Sequence, residues 1–323
     1  MTADSTAGDM PVCILGLGLI GGSLLRCLAD AGHQAFGYNR SAATVTAARS
    51  GGYDATTDLA EVLRRAAATD ALIVLATPVT TIDPLLRALA QWAPDCLITD
   101  VISVKQVVSE SVSRIHPRGR YVGGHPMAGT SQSGWDATDP ALFTDAMWMI
   151  ATEDHTDPDD WSAVAALAHA AGSIVVPAAP DAHDRAVAAI SHVPHLTAAV
   201  TAAVGAGESD LALRLAAGSF RDGTRVAGTA PALQRAMIEA NDVAVLNALS
   251  EIIDRLVAAR DDLRDHGNLA TLIDDGHRAR LAYEKMAASD REPIVGVRIG
   301  SAGWQSELRN QAHQGRVWLG QTG

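Results

Sequence analysis

The stretch Gly16-Leu17-Gly18-Leu19-Ile20-Gly21 decides the fold of the first half of this chain. The apolar residues 12–15 run directly into it and a helix-compatible sequence follows it, so the local order is strand, glycine turn and helix. In such a turn Gly16 makes the bend, Gly18 lets the backbone approach a pyrophosphate, and Gly21 lets the helix pack closely on the strand. The unpaired N–H groups that open the helix then face the phosphates. The stretch therefore predicts a dinucleotide-binding turn.

The first half of the chain alternates short apolar segments with amphipathic ones as far as residue 178. Near-continuous apolar strands that alternate with helices are typical of a parallel sheet covered by helices on both faces. The sequence thus predicts an α/β fold, a Rossmann-type doubly wound parallel sheet, over residues 11–178. The predicted strands are 12–15, 35–38, 71–76, 96–99, 121–123, 148–151 and 174–176, and the predicted helices between the early strands are 44–49, 58–68 and 81–90.

The second half of the chain has no further strand pattern and is predicted to be all-helical over residues 179–289. Apolar residues recur every three or four positions through the long segment 231–266, and Gly267 is a typical stop signal after it. Either this long helix crosses its own domain, or it forms a shared core in a two-fold dimer, which we favour. Shorter helices are predicted at 181–190 and 195–204.

Both ends of the chain lack a clear period. Residues 1–10 are small and polar and are expected to form a flexible tail. Residues 290–323 hold Trp304 and Trp318 among glycines and arginines, and form either a disordered C-terminal tail or an arm that latches onto a neighbour. They are too few for a separate regulatory domain, which usually needs at least about 50 residues.

The composition argues against several classes of partner. The 323 residues are 48% apolar and carry a net charge of −12, which is a poor match for nucleic acid or an anionic membrane. The first residues lack the pattern of a secretory signal, and no apolar run approaches a membrane span of about 20 residues. The three cysteines are scattered through predicted core elements, as expected in the reducing cytoplasm, and no disulfide or metal site is predicted.

The end of the second predicted strand bears on the choice of cofactor. NAD-binding turns of this kind carry an acidic residue about 20 residues downstream, where this chain has Asn39, Arg40 and Ser41. Loss of the carboxylate and gain of a cation favour a 2′-phosphate, so NADP is predicted in preference to NAD, which stays possible. The alternative is that Arg40 is an ordinary solvated residue. Thr77 and Pro78, after the third predicted strand, are expected to complete the cofactor site.

Two segments at predicted strand ends carry the candidate chemistry. Ser103 follows the strand 96–99, and His125 follows the strand 121–123, framed by Gly-Gly and Pro. In an open parallel sheet ligands bind beyond the carboxyl ends of the strands, so both side chains are expected near the nicotinamide. A histidine there can take or give a proton near neutral pH. The alternative is a structural or solvated histidine.

Two segments of the helical half are expected to contact the substrate. Ser191-His192-Val193-Pro194-His195 holds two imidazoles that are expected to face the cleft between the halves. A metal site is disfavoured there, because Pro194 distorts the turn and no further ligand lies at a suitable spacing. Phe220-Arg221-Asp222-Gly223-Thr224-Arg225 offers arginines that either clamp a carboxylate bidentately or pair with Asp222.

Taken together, these segments resemble the prephenate/arogenate dehydrogenase family of tyrosine biosynthesis. They fall in the family's order, and the GGHPMAG and SHVPH segments are specific, since few other nicotinamide enzymes carry both. The resemblance implies an N-terminal Rossmann domain, a helical C-terminal domain that forms a homodimer, and an active site in the cleft between them. The matching segments are residues 16–23 (GLGLIGGS), 100–105 (DVISVK), 123–130 (GGHPMAGT), 191–195 (SHVPH) and 220–225 (FRDGTR).

The resemblance also implies the reaction, an NAD(P)-dependent oxidative decarboxylation of prephenate to 4-hydroxyphenylpyruvate or of arogenate to tyrosine. His125 would accept the proton of the ring C4 hydroxyl, and Ser103 would hydrogen-bond the same hydroxyl and orient His125. By the same resemblance Arg225, rather than Arg221, would hold a substrate carboxylate, and His195 would face the side chain.

The choice of substrate stays open in the sequence. Prephenate has a keto group where arogenate has an amino group, and a neutral amide at Asn241 would tolerate the keto acid, so prephenate is taken first. Two other classes of function also stay open. One is another NADP-dependent reductase of the 3-hydroxyacid or imine type, although the first helices of the second half contain no lysine. The other is a sensor that binds NADP without chemistry.

Overall fold

A five-stranded parallel sheet forms the centre of the first half of the chain, in the strand order β3-β2-β1-β4-β5. The computed structural model describes residues 10–130 and 132–320, so residues 1–9 of the predicted N-terminal tail lie outside it. Strands and helices alternate as predicted, with the short strand β3 in addition to the predicted strands. The elements are β1 Val12–Leu15, α1 Leu19–Asp30, β2 Ala35–Tyr38, α2 Ala42–Ser50, β3 Ala55–Thr56, α3 Leu59–Ala68, β4 Leu72–Leu75, α4 Ile82–Trp92, β5 Ile98–Asp100 and α5 Gln106–Ile115.

The strand β1 shows why the apolar runs form a sheet that is buried on both faces. Its side chains alternate between two hydrophobic cores, with Val12 and Ile14 in one and Cys13 and Leu15 in the other. Because every position of the strand is covered by helices on one side or the other, the run is continuously apolar. The prediction of a doubly wound parallel sheet is confirmed for these five strands.

The predicted strand 121–123 does not continue this parallel sheet. Tyr121 makes one isolated parallel bridge to Ile98, and the next strand begins only at Gly124. That strand, β6, pairs antiparallel with β7, and β7 pairs parallel with β8 in a separate three-stranded sheet. A Cβ on Gly124 would lie 2.9 Å from the carbonyl oxygen of Asp100, so glycine is needed where the chain crosses the end of β5. The elements here are β6 Gly124–Pro126, β7 Met147–Ala151, α6 Pro158–Ala170 and β8 Ile174–Ala178.

The helical half contains more helices than the sequence predicted. The segment 231–266 is broken at Ala240 and Asn241, because the Asn241 side chain donates to the carbonyl of Asp184 and to the ring of His192 rather than lying on a continuous helix face. The elements are α7 Pro180–Val187, α8 Val193–Glu208, α9 Asp210–Leu215, α10 Gly218–Thr224, α11 Pro231–Glu239, α12 Asp242–His266 and α13 Ala270–Ala288.

The helices α7 and α8 form one continuous helical stretch through the π-helical turn Ala188–His192, which precedes Pro194. This stretch, Pro180–Glu208, is long and apolar enough to cross a membrane by length and composition alone. The prediction that no apolar run approaches a membrane span was therefore wrong. The sequence pattern predicted two separate helices, 181–190 and 195–204, whereas the π-helical turn before Pro194 lets the helix continue through the proline.

The long helices of the second half leave many large apolar side chains open to solvent within one chain. The alternative in which the long helix crosses its own domain is not supported, because few of its apolar residues are covered. The exposed residues on α12 and α13 are Val243, Leu246, Ile253, Leu256, Val257, Leu263, Ile273, Leu281, Tyr283 and Met286.

The C-terminal segment packs on the first domain, contrary to both alternatives given for residues 290–323. It forms a fourteenth helix, α14 Trp304–His313, and the indole rings of Trp304 and Trp318 lie 5.6 Å and 5.7 Å from that of Trp161 on α6. The N–H of Trp318 donates to the carbonyl of Val175 on β8. The sequence pattern shows that these tryptophans are apolar but not which surface they bury.

We expect Trp304→Ala to lower the free energy of unfolding by about 3–5 kcal/mol, because a buried indole is replaced by a cavity in the core of the first domain. Guanidinium unfolding followed by circular dichroism measures it. The control is Trp92→Ala, which removes an exposed indole and should cost less than about 1 kcal/mol. Equal effects of the two substitutions would mean that the C-terminal segment does not belong to the folded core.

Candidate active site

The glycine turn between β1 and α1 has the geometry that a bound dinucleotide requires. Gly16 has φ +111°, and a Cβ on it would lie 2.6 Å from the carbonyl oxygen of Ala76. A Cβ on Gly21 would lie 1.9 Å from the carbonyl oxygen of Gly16, so only glycine allows α1 to start this close to the strand. Gly18 precedes the first turn of α1 and faces open space. The geometry explains why Gly16 and Gly21 must be glycine, and the role of Gly18 towards a pyrophosphate stays a prediction.

The turn lies where β1 and β4 are neighbours at the centre of the sheet, which is the switch point where open α/β sheets bind ligands. Thr77 and Pro78 directly follow β4, and the Thr77 side chain lies close to Gly16. The Thr77 hydroxyl oxygen is buried without a hydrogen-bond partner among the described residues. With the free N–H groups of α1, it gives a polar cradle that fits a nicotinamide dinucleotide.

The segment after β2 is arranged around the start of α2. The side-chain oxygen of Asn39 accepts from the N–H of Ser41 at 2.9 Å, and the Ser41 hydroxyl oxygen accepts from the N–H of Thr44 at 3.3 Å. Arg40 is exposed and makes no ion pair within residues 10–130 and 132–320. Asn39 therefore shapes the loop, and Arg40 is the cation that remains available to an anionic ligand.

His125 lies on β6, beyond the end of β5, and its ring is fixed from the helical half of the chain. Its Nδ1 lies 2.9 Å from Nε2 of His183 on α7, with the two rings nearly perpendicular. Burial lowers the pKa of His125 well below its usual value, and positive charge on His183, Lys105 and His192 would lower it further. His125 is therefore neutral at physiological pH, which is the state that can accept a proton.

A buried ion pair holds the strand on which His125 lies. The Lys105 ammonium, with 1% of its surface exposed, pairs with Asp100 at the end of β5 and donates to the carbonyl of Gly124 at 2.6 Å. The phenol of Tyr121 donates to the other Asp100 oxygen at 2.7 Å. Burial lowers the pKa of Lys105, while the charge of Asp100 opposes the shift. The ion pair thus joins the end of β5 to the residue before His125, a role that the sequence did not reveal.

Ser103 lies in the loop between β5 and α5 and is half-buried. Within the described parts of the chain, no hydrogen bond joins Ser103 to His125, and the contact at Nδ1 of His125 is made by His183. The orienting role that the resemblance assigned to Ser103 stays a prediction, and the contact at Nδ1 of His125 is made by a residue of α7. Only the tertiary fold brings that residue to β6, and the Ser103 hydroxyl stays available to a substrate.

The imidazoles of the SHVPH segment differ in their surroundings. Nδ1 of His192 accepts from the side-chain amide of Asn241, and burial lowers the pKa of His192 to about 4. Nε2 of His192 and Nδ1 of His195 are buried without a partner among the described residues. Asn241 itself is buried, with its N–H groups bound to His192 and to the carbonyl of Asp184. The side-chain N–H groups of Asn241 therefore hold two helical segments together and are not free to bind a substrate. The expectation that they contact the substrate is wrong.

Arg225 and Arg221 have different environments. Arg225 is exposed, lies on the short turn Arg225–Gly228 that packs against α8, and has no ion pair within the described ranges. Arg221 lies 3.5 Å from the carboxylate of its neighbour Asp222. His195 also lies on α8, and both the turn that carries Arg225 and the helix α10 that carries Arg221 pack against α8, so the two arginines differ in their ion pairing and not in the helix they adjoin.

Comparison with known proteins accounts for both halves of the chain. The family model described as "Prephenate dehydrogenase, nucleotide-binding domain" matches residues 26–176, and "Prephenate dehydrogenase, dimerization domain" matches residues 179–273. A Corynebacterium glutamicum structure assigned as a prephenate dehydrogenase is 45% identical, with a TM-score of 0.90 over 96% of this chain and 98% of that chain. The chain belongs to the prephenate dehydrogenase family.

Two further members of the prephenate dehydrogenase family differ in what they act on or bind. A Synechocystis arogenate dehydrogenase is 32% identical, with a TM-score of 0.72 over 85% of this chain and all of that chain. An Aquifex aeolicus prephenate dehydrogenase in complex with hydroxyphenyl propionate and NAD+ is 25% identical, with a TM-score of 0.76 over 85% of this chain and 98% of that chain. Similarity within the family therefore spans both substrates that the sequence left open.

Proposed function

We propose that this protein catalyses the oxidative decarboxylation of prephenate to 4-hydroxyphenylpyruvate, with arogenate as the alternative substrate, in tyrosine biosynthesis. The observation that carries the proposal is His125, a neutral imidazole beyond the end of β5. Its Nδ1 lies 2.9 Å from His183, and its ring makes no other hydrogen bond among the described residues. Its Nε2 is left to contact a substrate. A sensor without chemistry needs no base in this position.

Each residue of the proposed site has a separate role in the reaction. His125 Nε2 takes the proton of the C4 hydroxyl as C4 becomes a carbonyl carbon. Loss of the ring carboxylate as CO2 then leaves a phenolate, which takes the proton back from His125 to give the phenol. The bound nicotinamide supplies the acceptor for the hydride that leaves C4. The Ser103 hydroxyl binds the same substrate hydroxyl, His195 faces the side chain, and Arg225 holds a carboxylate. Aromatisation supplies much of the driving force, so the protein mainly aligns C4 and accepts one proton.

The experiment is a grid of four reactions that offers prephenate or arogenate with NAD or NADP. Formation of reduced nicotinamide is followed by its near-ultraviolet absorbance, and the aromatic product is identified by chromatography. We expect turnover with prephenate. No reduced nicotinamide in any of the four reactions would reject the proposed function, and turnover with arogenate alone would correct the substrate.

We propose that the cofactor is NADP in preference to NAD, supported by the exposed Arg40 and by the lack of a carboxylate at the end of β2. Arg40→Ala should weaken NADP binding by about 10–100-fold, since a charge-assisted bond to the 2′-phosphate is worth about 1.5–3 kcal/mol. NAD binding should change less than about twofold. Titration by quenching of intrinsic fluorescence measures both affinities.

The control for Arg40 is Arg64→Ala, which removes an exposed arginine that stacks on Trp92 away from the cofactor turn. It should leave both affinities unchanged. Equal weakening of NAD and NADP in Arg40→Ala would make Arg40 a residue without a role in cofactor choice. NAD as the preferred cofactor would agree with the NAD+ complex of the Aquifex relative.

We propose a homodimer formed through the helical domain. The support is the set of exposed apolar side chains on α12 and α13 together with the match to a dimerisation domain. Light scattering after size exclusion should give twice the mass of one chain. Leu256→Glu on α12 should shift the protein to the monomer, whereas Glu251→Gln, an exposed position on the same helix, should not. A monomeric wild-type protein would overturn the proposal.

The net charge and the cysteines of the protein bear on its partners and its location in the cell. Its net charge of −12 supports a small-molecule substrate rather than nucleic acid or an anionic membrane as partner. Three free cysteines support a location in the cytoplasm. Fractionation of cells that express the tagged protein tests this location.

A further inference from the structure

A chain of hydrogen bonds runs from the reacting end of the site into the helical domain. Nδ1 of His125 lies 2.9 Å from Nε2 of His183, and Nδ1 of His183 lies 2.8 Å from a carboxylate oxygen of Asp184. His183 and Asp184 are both buried. These hydrogen bonds therefore connect β6 of the first domain with α7 of the second. The proposed reaction assigns no role to His183 or Asp184.

Asp184 sets the direction of the hydrogen bonds in this chain. Its two carboxylate oxygens accept from the backbone N–H groups of Lys105 at 2.8 Å and Gln106 at 2.9 Å, at the start of α5. A carboxylate has no donor, so Nδ1 of His183 must donate to Asp184. In a neutral imidazole the other nitrogen then has the lone pair, so Nε2 of His183 accepts from His125.

The acceptor at Nε2 of His183 also fixes the tautomer of His125. Because Nε2 of His183 is an acceptor, Nδ1 of His125 must be the protonated nitrogen. Its Nε2 then carries the lone pair, and this is the nitrogen that can take a proton from the substrate. In the opposite tautomer Nε2 would carry a hydrogen and could not act as the base. Two fixed hydrogen bonds thus remove the inactive tautomer before the substrate binds.

We propose that His183, backed by Asp184, is a positioning residue that fixes the tautomer and ring orientation of His125. The inference rests on the proposed function, in which His125 is the base. In this inference the contact between the two domains serves catalysis, because the orientation of a base on the first domain depends on a helix of the second. Asn241 holds this helix in place through the Asp184 carbonyl.

The test uses two substitutions that each keep one half of the imidazole. His183→Gln places an amide near the former Nε2, so it can still accept from His125 but loses Asp184. His183→Asn places its amide near the former Nδ1, so it can still bond to Asp184 but loses His125. We expect kcat of His183→Asn to fall by about 10²-fold, and that of His183→Gln by less than about tenfold, with KM and cofactor affinity near the wild-type values in both.

A purely structural role of His183 predicts a different result, in which both variants lose thermal stability and kcat together or neither changes. Equal kcat values for the two folded variants would therefore overturn the inference. A nitrogen NMR spectrum of the wild-type protein with labelled histidine rings gives a second readout, which does not require a folded variant. It should show the proton of His125 on Nδ1, and a proton on Nε2 in the neutral ring would overturn the inference.

Failure of the inference and failure of the proposed function give different results. If the wild-type protein turns over and His125→Ala does not, while His183→Asn keeps full kcat, only the role of His183 is wrong. If the wild-type protein turns over neither substrate with either cofactor, the proposed function itself is wrong.

Discussion

His125→Ala is expected to lower kcat by about 10²–10⁴-fold, which is the usual contribution of a general base. The imidazole is the neutral group that the fold holds ready to accept the substrate proton, and alanine leaves no acceptor in its place. The affinity for the cofactor should change by less than about threefold, because the dinucleotide turn lies at the end of β1, not on β6. Initial rates and a fluorescence titration measure the two quantities.

The control for His125 is His33→Ala, which removes an imidazole from the turn between α1 and β2 and should leave kcat unchanged. The pH dependence gives a further check. Since the pKa of His125 is lowered, the base loses its proton well below the usual range of histidine, and kcat should stay constant through pH 6.5, where a free imidazole would be half-protonated. A His125→Ala variant with wild-type kcat would mean that His125 is not the base of the reaction.

Arg225→Ala is expected to raise the KM of the substrate by about 10–100-fold and to change kcat less. A bidentate bond between a guanidinium and a carboxylate is worth about 1.5–3 kcal/mol, and each loss of about 1.4 kcal/mol in binding free energy weakens binding tenfold. Arg225 is exposed and without an ion pair in the described ranges, so its charge remains available to a substrate anion. Steady-state kinetics over a wide range of substrate concentration measures the effect.

The matched control is Arg221→Ala, four positions earlier, which removes an arginine that lies beside Asp222. It should change KM by less than about threefold. Arg225→Lys keeps the charge but loses the bidentate geometry, so its KM should lie between those of the wild type and the alanine variant. A large effect in Arg221→Ala with none in Arg225→Ala would assign the carboxylate to Arg221.

The dinucleotide turn could be predicted from local sequence because its physics is local. The glycines at positions 16 and 21 are required by the backbone of one turn and by carbonyl groups within a few ångströms of it. The buried strand β1 was likewise evident from four consecutive apolar residues. The proposal of His125 as a site residue also came from its place after a predicted strand, although that strand begins later than predicted and runs antiparallel to β7.

The partners of His125 could not be predicted in this way. His183 and Asp184 lie 58 and 59 positions along the chain from it, and a His-Asp pair in a helix has no periodic signature. The segment 100–105 was singled out from the sequence. The sequence did not predict that Lys105 pairs with Asp100 and donates to the carbonyl of Gly124. The break at Asn241 has the same origin, because the side chain bonds to groups that only the packing of three helical segments brings together.

The sequence by itself determined the elements and chemistry that depend on neighbouring residues: the parallel sheet, the glycine turn, the helical second half and the presence of a base and an arginine. The tertiary structure alone shows which imidazole lies against His125, that the C-terminal tryptophans fill the core of the first domain, and which apolar helix faces stay open. The physical reason is that backbone preference and apolar period act over a few residues, whereas hydrogen bonds and packing join residues at any separation along the chain.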